Sequence, residues 1–155
     1  MCGRFTLRTP LPVLIKHFQL GLAAQRQLPL LEPRYNIAPT QDILAIRKDA
    51  ATSERTADRL RWGLVPSCAK ELQSGAPLIN ARAETIAEMP AFRSALRKRR
   101  CLIPASGFFE WRKLPSGRRA PYWIGMKEKE PFALAGSRRS LPTRKPASCR
   151  IASLS

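Results

Sequence analysis

The chain has 155 residues, a length that suits one domain, and 44% of them are hydrophobic, which argues against wholesale disorder. Lys and Arg total 28 against 11 Asp and Glu, a formal net charge of +17. Such a field is superfluous for a neutral or acidic small molecule but suits a polyanion, most commonly nucleic acid; a solubilising basic surface is the plainer alternative.

The first element is a short helix over Thr9–Phe18. Thr9 would cap it, prolines occupy its first turn, and Leu11, Leu14, Ile15 and Phe18 share one face. The region around Pro29, Pro33 and Pro39 reads as loop. Ile43–Arg47 and Arg59–Val65 read as strands, and Ser67–Pro77 as another loop. A helix is predicted over Thr85–Arg100, restarting at Pro90 and ending in the run Arg97-Lys98-Arg99-Arg100. Strands follow at Cys101–Ala105, Phe108–Lys113, Tyr122–Lys127 and Phe132–Ala135, with a turn at Leu114-Pro115-Ser116-Gly117. Short strands with two helices indicate an α+β fold. After Gly136 the composition changes. Ser137–Ser155 has no acidic or aromatic residue, which predicts a disordered basic tail or an out-of-frame ending, and a domain confined to residues 1–136.

No stretch reaches the ~20 apolar residues that would cross a bilayer. Arg4 and Arg8 interrupt the segment in which a signal peptide would need its apolar core, so a cytoplasmic protein is expected. Cys2, Cys68, Cys101 and Cys149 are widely spaced and His17 is the sole histidine, so neither a metal nor another cofactor is expected.

The start, Met1-Cys2-Gly3-Arg4, carries the most specific chemistry. Removal of Met1 would leave Cys2 with an α-amine and a thiol on adjacent carbons. Such an aminothiol condenses with an aldehyde to an imine, which the thiol closes to a thiazolidine. The amine titrates near ~8, so a neutral fraction exists at physiological pH. Arg4 would favour the thiolate. The plain alternative is an incidental small residue near a frayed end.

Four further segments bear on that choice: Arg34-Tyr35-Asn36-Ile37-Ala38-Pro39-Thr40, Arg61-Trp62-Gly63-Leu64-Val65-Pro66, Pro77-Leu78-Ile79-Asn80-Ala81-Arg82-Ala83-Glu84-Thr85, and Cys101 to Trp111 with Gly107-Phe108-Phe109-Glu110-Trp111 at its end. With Met1 to Phe5 they resemble, in order, the signature blocks of the SRAP (SOS response-associated peptidase) family, over roughly residues 1–136. The resemblance implies a mixed, barrel-like sheet with peripheral helices. It also implies an enzyme of the DNA damage response that removes its own initiator Met and crosslinks to abasic sites in single-stranded DNA. Carried over block by block, the nucleophile is Cys2, the catalytic carboxylate Glu110, the amide Asn80, and the phosphate ligand Arg82.

The residues fit those roles. A carboxylate beside an N-terminal amine can relay the protons that imine formation and ring closure require. Glu110, between Phe109 and Trp111, is expected to be partly desolvated, against the alternative of an exposed strand position. Asn80 could hydrogen-bond the opened sugar, or simply end a turn. Arg4 and Arg82 could fork onto phosphates, or be solvated charges. Trp62 and Trp111 could stack on DNA bases, although such a Trp is more often core; Trp62 is assigned to DNA and Trp111 to the core. Glu84 reads as a helix-start charge.

The family's later His-x-Arg-x-Pro block has no match, and His17 is not assigned its role. The expected partner is single-stranded DNA with abasic sites, bound by a monomer. The alternative is an inactive truncated remnant, or a non-catalytic basic fragment that binds single strands.

Overall fold

The computed structural model describes residues 3–28, 31–63, 79–139 and 148–153. Met1, Cys2, Pro29, Cys68, the end of the second predicted strand at Val65, the predicted loop Ser67–Pro77, and residues 140–147 and 154–155 of the predicted tail lie outside these.

The chain is α+β, built from two sheets and three helices among the described residues. In chain order the elements are β1 (Phe5–Leu7), α1 (Leu11–Phe18), α2 (Leu22–Gln27), β2 (Arg34–Ile37), β3 (Asp42–Lys48), β4 (Arg55–Trp62) and β5 (Asn80–Arg82). Then come α3 (Pro90–Lys98), β6 (Arg100–Ala105), β7 (Gly107–Lys113), β8 (Arg119–Ile124), β9 (Phe132–Arg139) and β10 (Ser148–Ser153). One sheet has the order β2-β1-β7-β8, the other β4-β3-β6-β9-β10-β5. The larger sheet curls until β10 also meets β4, at Ser148↔Arg61 and Cys149↔Trp62.

α1 forms where predicted, and its apolar stripe buries Leu14 and Phe18 with Leu11 and Ile15 packed alongside. Its N-cap is Pro10, which has no side chain to cap with, and not Thr9. Thr9 is drawn instead to the buried Ser106, with oxygen–oxygen distance 2.9 Å. The strand at Phe5–Leu7 and the strand inside the proline-rich region, Arg34–Ile37, were not predicted. Each is too short for periodicity to register, and they exist because they pair with each other and β1 pairs with β7. The predicted long helix does restart at Pro90, after a turn segment, and ends at Lys98.

The predicted boundary after Gly136 falls inside β9, and residues 148–153 form β10 in the interior of the larger sheet. The expectation of a disordered tail is therefore corrected for those residues. Ladder hydrogen bonds to β9 and β5 compensate for an unpatterned composition.

The core lies between the sheets and under α1, with Phe5, Leu14, Ile37, Ile46, Trp62 and Ile103 among its most buried side chains. β3 is buried on both faces from Ile43 to Ile46, as a central strand should be. In the smaller sheet the Trp123 ring lies over Gly107, where a Cβ would stand only 2.3 Å from it. Glycine alone permits that approach.

The β3–β4 turn is closed by Asp49. Its carboxylate accepts the Thr52 and Ala51 N–H groups at 3.1 and 2.9 Å. Those bonds, with Arg47 at 3.3 Å, hold it below the usual carboxylate range. A depressed carboxylate stabilises the fold above its unfolded pKa of about 3.9 and loses that contribution as pH falls through the folded value. In an NMR titration Asp49 should therefore titrate below about 3.9, and Asp49→Asn should abolish that step without disturbing β1. An ordinary midpoint would show that the turn bonds do not persist in solution.

Candidate functional site

The site is assembled from the N-terminal strand outward. β1 runs antiparallel to β7, with Phe5 opposite Phe108 and Thr6 opposite Gly107. The ladder continues past the strand end, where the Phe109 N–H donates to the Arg4 carbonyl at 2.9 Å. Glu110 is the next residue on β7, half-buried, opposite Tyr122 of β8. The chain emerging from Cys2 therefore enters the fold alongside the strand that carries Glu110. Gly3 is open at this point: a Cβ there would meet nothing within 4 Å.

On the other side of β1, the Arg4 guanidinium donates to the Asn36 side-chain oxygen at 2.9 Å. Asn36 sits where β2 bulges, because three residue steps on β2 match two on β1 between the pairs Phe5↔Ile37 and Leu7↔Arg34. The bulge re-aims β2 toward the end of β1. Sequence reasoning quoted Asn36 in its block but gave it no role; its signal is polarity inside a strand that ends in a buried Ile37.

Asn80 and Arg82 lie on β5 at the edge of the other sheet, paired in parallel with β10 at Ile151 and Ser153. Two residues apart on a strand, they share a face. Asn80 is half-buried and Arg82 exposed.

Trp62 connects the two halves. It is fully buried, its ring edge-on to Phe5 with centroids 5.3 Å apart, and its indole N–H donates to the Ile79 carbonyl at 3.0 Å. One side chain thus touches the residue after Arg4 and the residue before Asn80. This corrects the expectation that Trp62 stacks on DNA: no ring face is left for a base. Trp111 is the converse correction. Read as core, it is 40% exposed on β7, where the strand runs out past the core and Trp111, Arg112 and Lys113 are all exposed. The structure thus brings Arg4 and Glu110 onto adjoining backbone and ties the Asn80–Arg82 strand to them through the core. Cys2 itself lies outside the described residues. Among the described residues no three His, Cys, Asp or Glu side chains gather as a metal site, and no helix is long and apolar enough to cross a membrane.

Residues 1–152 match the family described as SOS response associated peptidase (SRAP). The chain belongs to the SRAP family. It is 44% identical over 138 residues to the abasic site processing protein YobE of Bacillus subtilis, covering 88% of this chain and 60% of YobE. It is 45% identical over 136 residues to YoaM of the same organism, covering 88% of this chain and 58% of that one. It is also 35% identical over 142 residues to the abasic site processing protein HMCES of Rattus norvegicus, covering 80% of this chain and 40% of that one. The chain therefore spans about three fifths of the length of its Bacillus relatives. A phage-related protein of Bordetella bronchiseptica shares the fold at TM-score 0.73 and 24% identity, over 99% of this chain and 69% of that one. A Bacteroides thetaiotaomicron protein does so at 0.73 and 23%, over 97% and 67%.

The SRAP match extends beyond Gly136 to residue 152, as β10 does. His17 is exposed on α1, packed edge-on against Phe18 at 4.8 Å. Ser106 belongs to the block Cys101 to Trp111, and its role becomes visible in the fold. Its hydroxyl accepts the Arg8 N–H at 2.8 Å and its N–H donates to the Thr6 carbonyl at 2.7 Å, so it locks β1 to the β6–β7 corner.

Proposed function

We propose that this chain processes abasic sites in single-stranded DNA by forming a thiazolidine crosslink through Cys2, after removing its own Met1. The observation that carries the reading is the backbone bond from Phe109 to Arg4, which brings Glu110 alongside the chain that emerges from Cys2. Family membership and the names of the relatives, abasic site processing proteins, support it.

In this reading the Cys2 amine attacks the ring-opened aldehyde and expels water to give an imine. The thiol then adds to the imine carbon, its proton passing to nitrogen. Both steps need proton transfers and no redox partner, so Glu110 as a relay suffices in kind. Asn80 hydrogen-bonds the opened sugar. Arg82 and Arg4 contact phosphates, with Arg4 oriented by Asn36. The protein acts as a monomer in the cytoplasm, in the DNA damage response.

The test mixes purified protein with a single strand containing one abasic site and resolves the products on a denaturing gel. A heat-stable shifted band, absent on an intact strand, is expected. Its absence with folded protein would replace this reading with a non-catalytic single-strand binder. Intact-mass measurement should also show loss of one Met; a fully retained Met1 would leave the amine blocked and exclude the chemistry.

A further inference from the structure

At the far end of the larger sheet, three cations occupy neighbouring strands in one row. Lys48 of β3 stands opposite Arg55 of β4. β3 meets β6 at Ile46↔Leu102, and Arg100, at the start of β6, lines the same cleft as Lys48 and Arg55. All three side chains are exposed, and they line a cleft of about 520 Å³ floored by Ile46 and the 39%-exposed Leu102. Arg47 also lines it, but its charge is matched by Asp58 at 2.5 Å and Asp49 at 3.3 Å. Among the described residues no carboxylate pairs with Lys48, Arg55 or Arg100. The Arg55 guanidinium is held in place by the Phe18 carbonyl at 2.8 Å.

Like charges directly opposite on paired strands destabilise a sheet. The row therefore costs the fold something, and a bound polyanion would offset it. Three strands at ~4.8 Å spacing spread the charges over roughly 10 Å. That is wider than one tetrahedral anion, and it suits a repeating backbone. The row also lies apart from Glu110. Arg100 starts β6, whose six residues extend about 17 to 20 Å before the chain turns into β7.

We propose that this cleft is a second phosphodiester contact, gripping the DNA strand beyond the stretch held at Glu110, Asn80 and Arg82. The inference rests on the reading that the partner is DNA. Lys48, Arg55 and Arg100 take successive phosphates and Leu102 packs against sugar. These contacts carry no sequence information; they lengthen the footprint on the strand.

The test uses the full chain and an intact single strand without an abasic site, so that no covalent chemistry enters. Binding is measured across a decade of salt for the unsubstituted chain, Lys48→Gln/Arg100→Gln, and the control Lys16→Gln/Lys127→Gln, which removes the same charge from exposed positions elsewhere. Thermal melting checks that each is folded. Two lost contacts should flatten the log–log salt slope by about 1.4, two at ~0.7 each, so a decade of salt then changes affinity about 25-fold less. The control should leave the slope near that of the unsubstituted chain. Equal slopes for the two double variants would overturn the proposal. So would inorganic phosphate at matched ionic strength erasing the difference, since that marks a single-anion site. Failure of crosslinking on abasic DNA is a separate outcome and leaves this slope readable.

Discussion

Replacing Cys2 with Ser is expected to convert a heat-stable DNA adduct into one that persists only after borohydride reduction. The amine remains, so the imine still forms. The hydroxyl closes at best an oxygen analogue of the ring, which hydrolyses more readily. Glu110→Gln should behave differently: single-strand binding is kept while crosslinking slows by about 10²–10⁴-fold, the usual worth of a positioned proton relay. Glu110 shares β7 with the strand-defining residues Phe108 and Phe109, and the amide is nearly isosteric, so the ladder to Arg4 should survive. The measurement is adduct yield against time on abasic and intact strands, on denaturing gels with and without borohydride. A Cys2→Ser adduct as heat-stable as the unsubstituted one would eliminate the thiazolidine. An unslowed Glu110→Gln would remove the carboxylate from the mechanism and leave its position beside Arg4 a matter of packing.

Trp62→Ala should cost about 3–5 kcal/mol, as truncation of a fully buried large aromatic does. Against a typical total of about 5–15 kcal/mol this is a large share. For a chain of this size it predicts a melting temperature lowered by about 6–20 °C. The side chain is at 0% exposure, contacts Phe5, and donates to Ile79, so its loss both leaves a cavity and orphans a carbonyl. Trp62→Phe should keep most of the packing and lose the indole N–H bond. If Trp62 orders the site, that variant should stay folded and still crosslink more slowly, because β5 is no longer tied to β1. Melting of Trp62→Ala within about 2 °C of the unsubstituted chain would show that Trp62 is not core.

Several things were legible in the residues alone. The apolar stripe of α1, the uninterrupted buried run of β3, and the strand–turn–strand of β7 and β8 follow from local periodicity and turn chemistry, which are sequence properties. The order of five short blocks identified the family. Excess positive charge identified the kind of partner now proposed. None of these depends on which distant segments meet.

What depended on distant meetings was not legible. β1, β2 and β10 are strands only because neighbours supply their hydrogen-bond partners, and β10 comes from a stretch whose composition reads as disorder. The fates of Trp62 and Trp111 were exchanged for the same reason. Both are tryptophans in β-rich segments, and burial is set by which distant segments pack around them. The cap role of Thr9 was lost to Ser106, 97 residues away. The cluster of Arg55, Lys48 and Arg100 exists only because three strands come together, two of them separated by about fifty residues. Sequence by itself thus determined the family and most of the local elements. Tertiary structure alone decided which tryptophan faces solvent, which strands complete the sheets, and where unpaired cations gather, because burial and charge pairing are properties of contacts between segments.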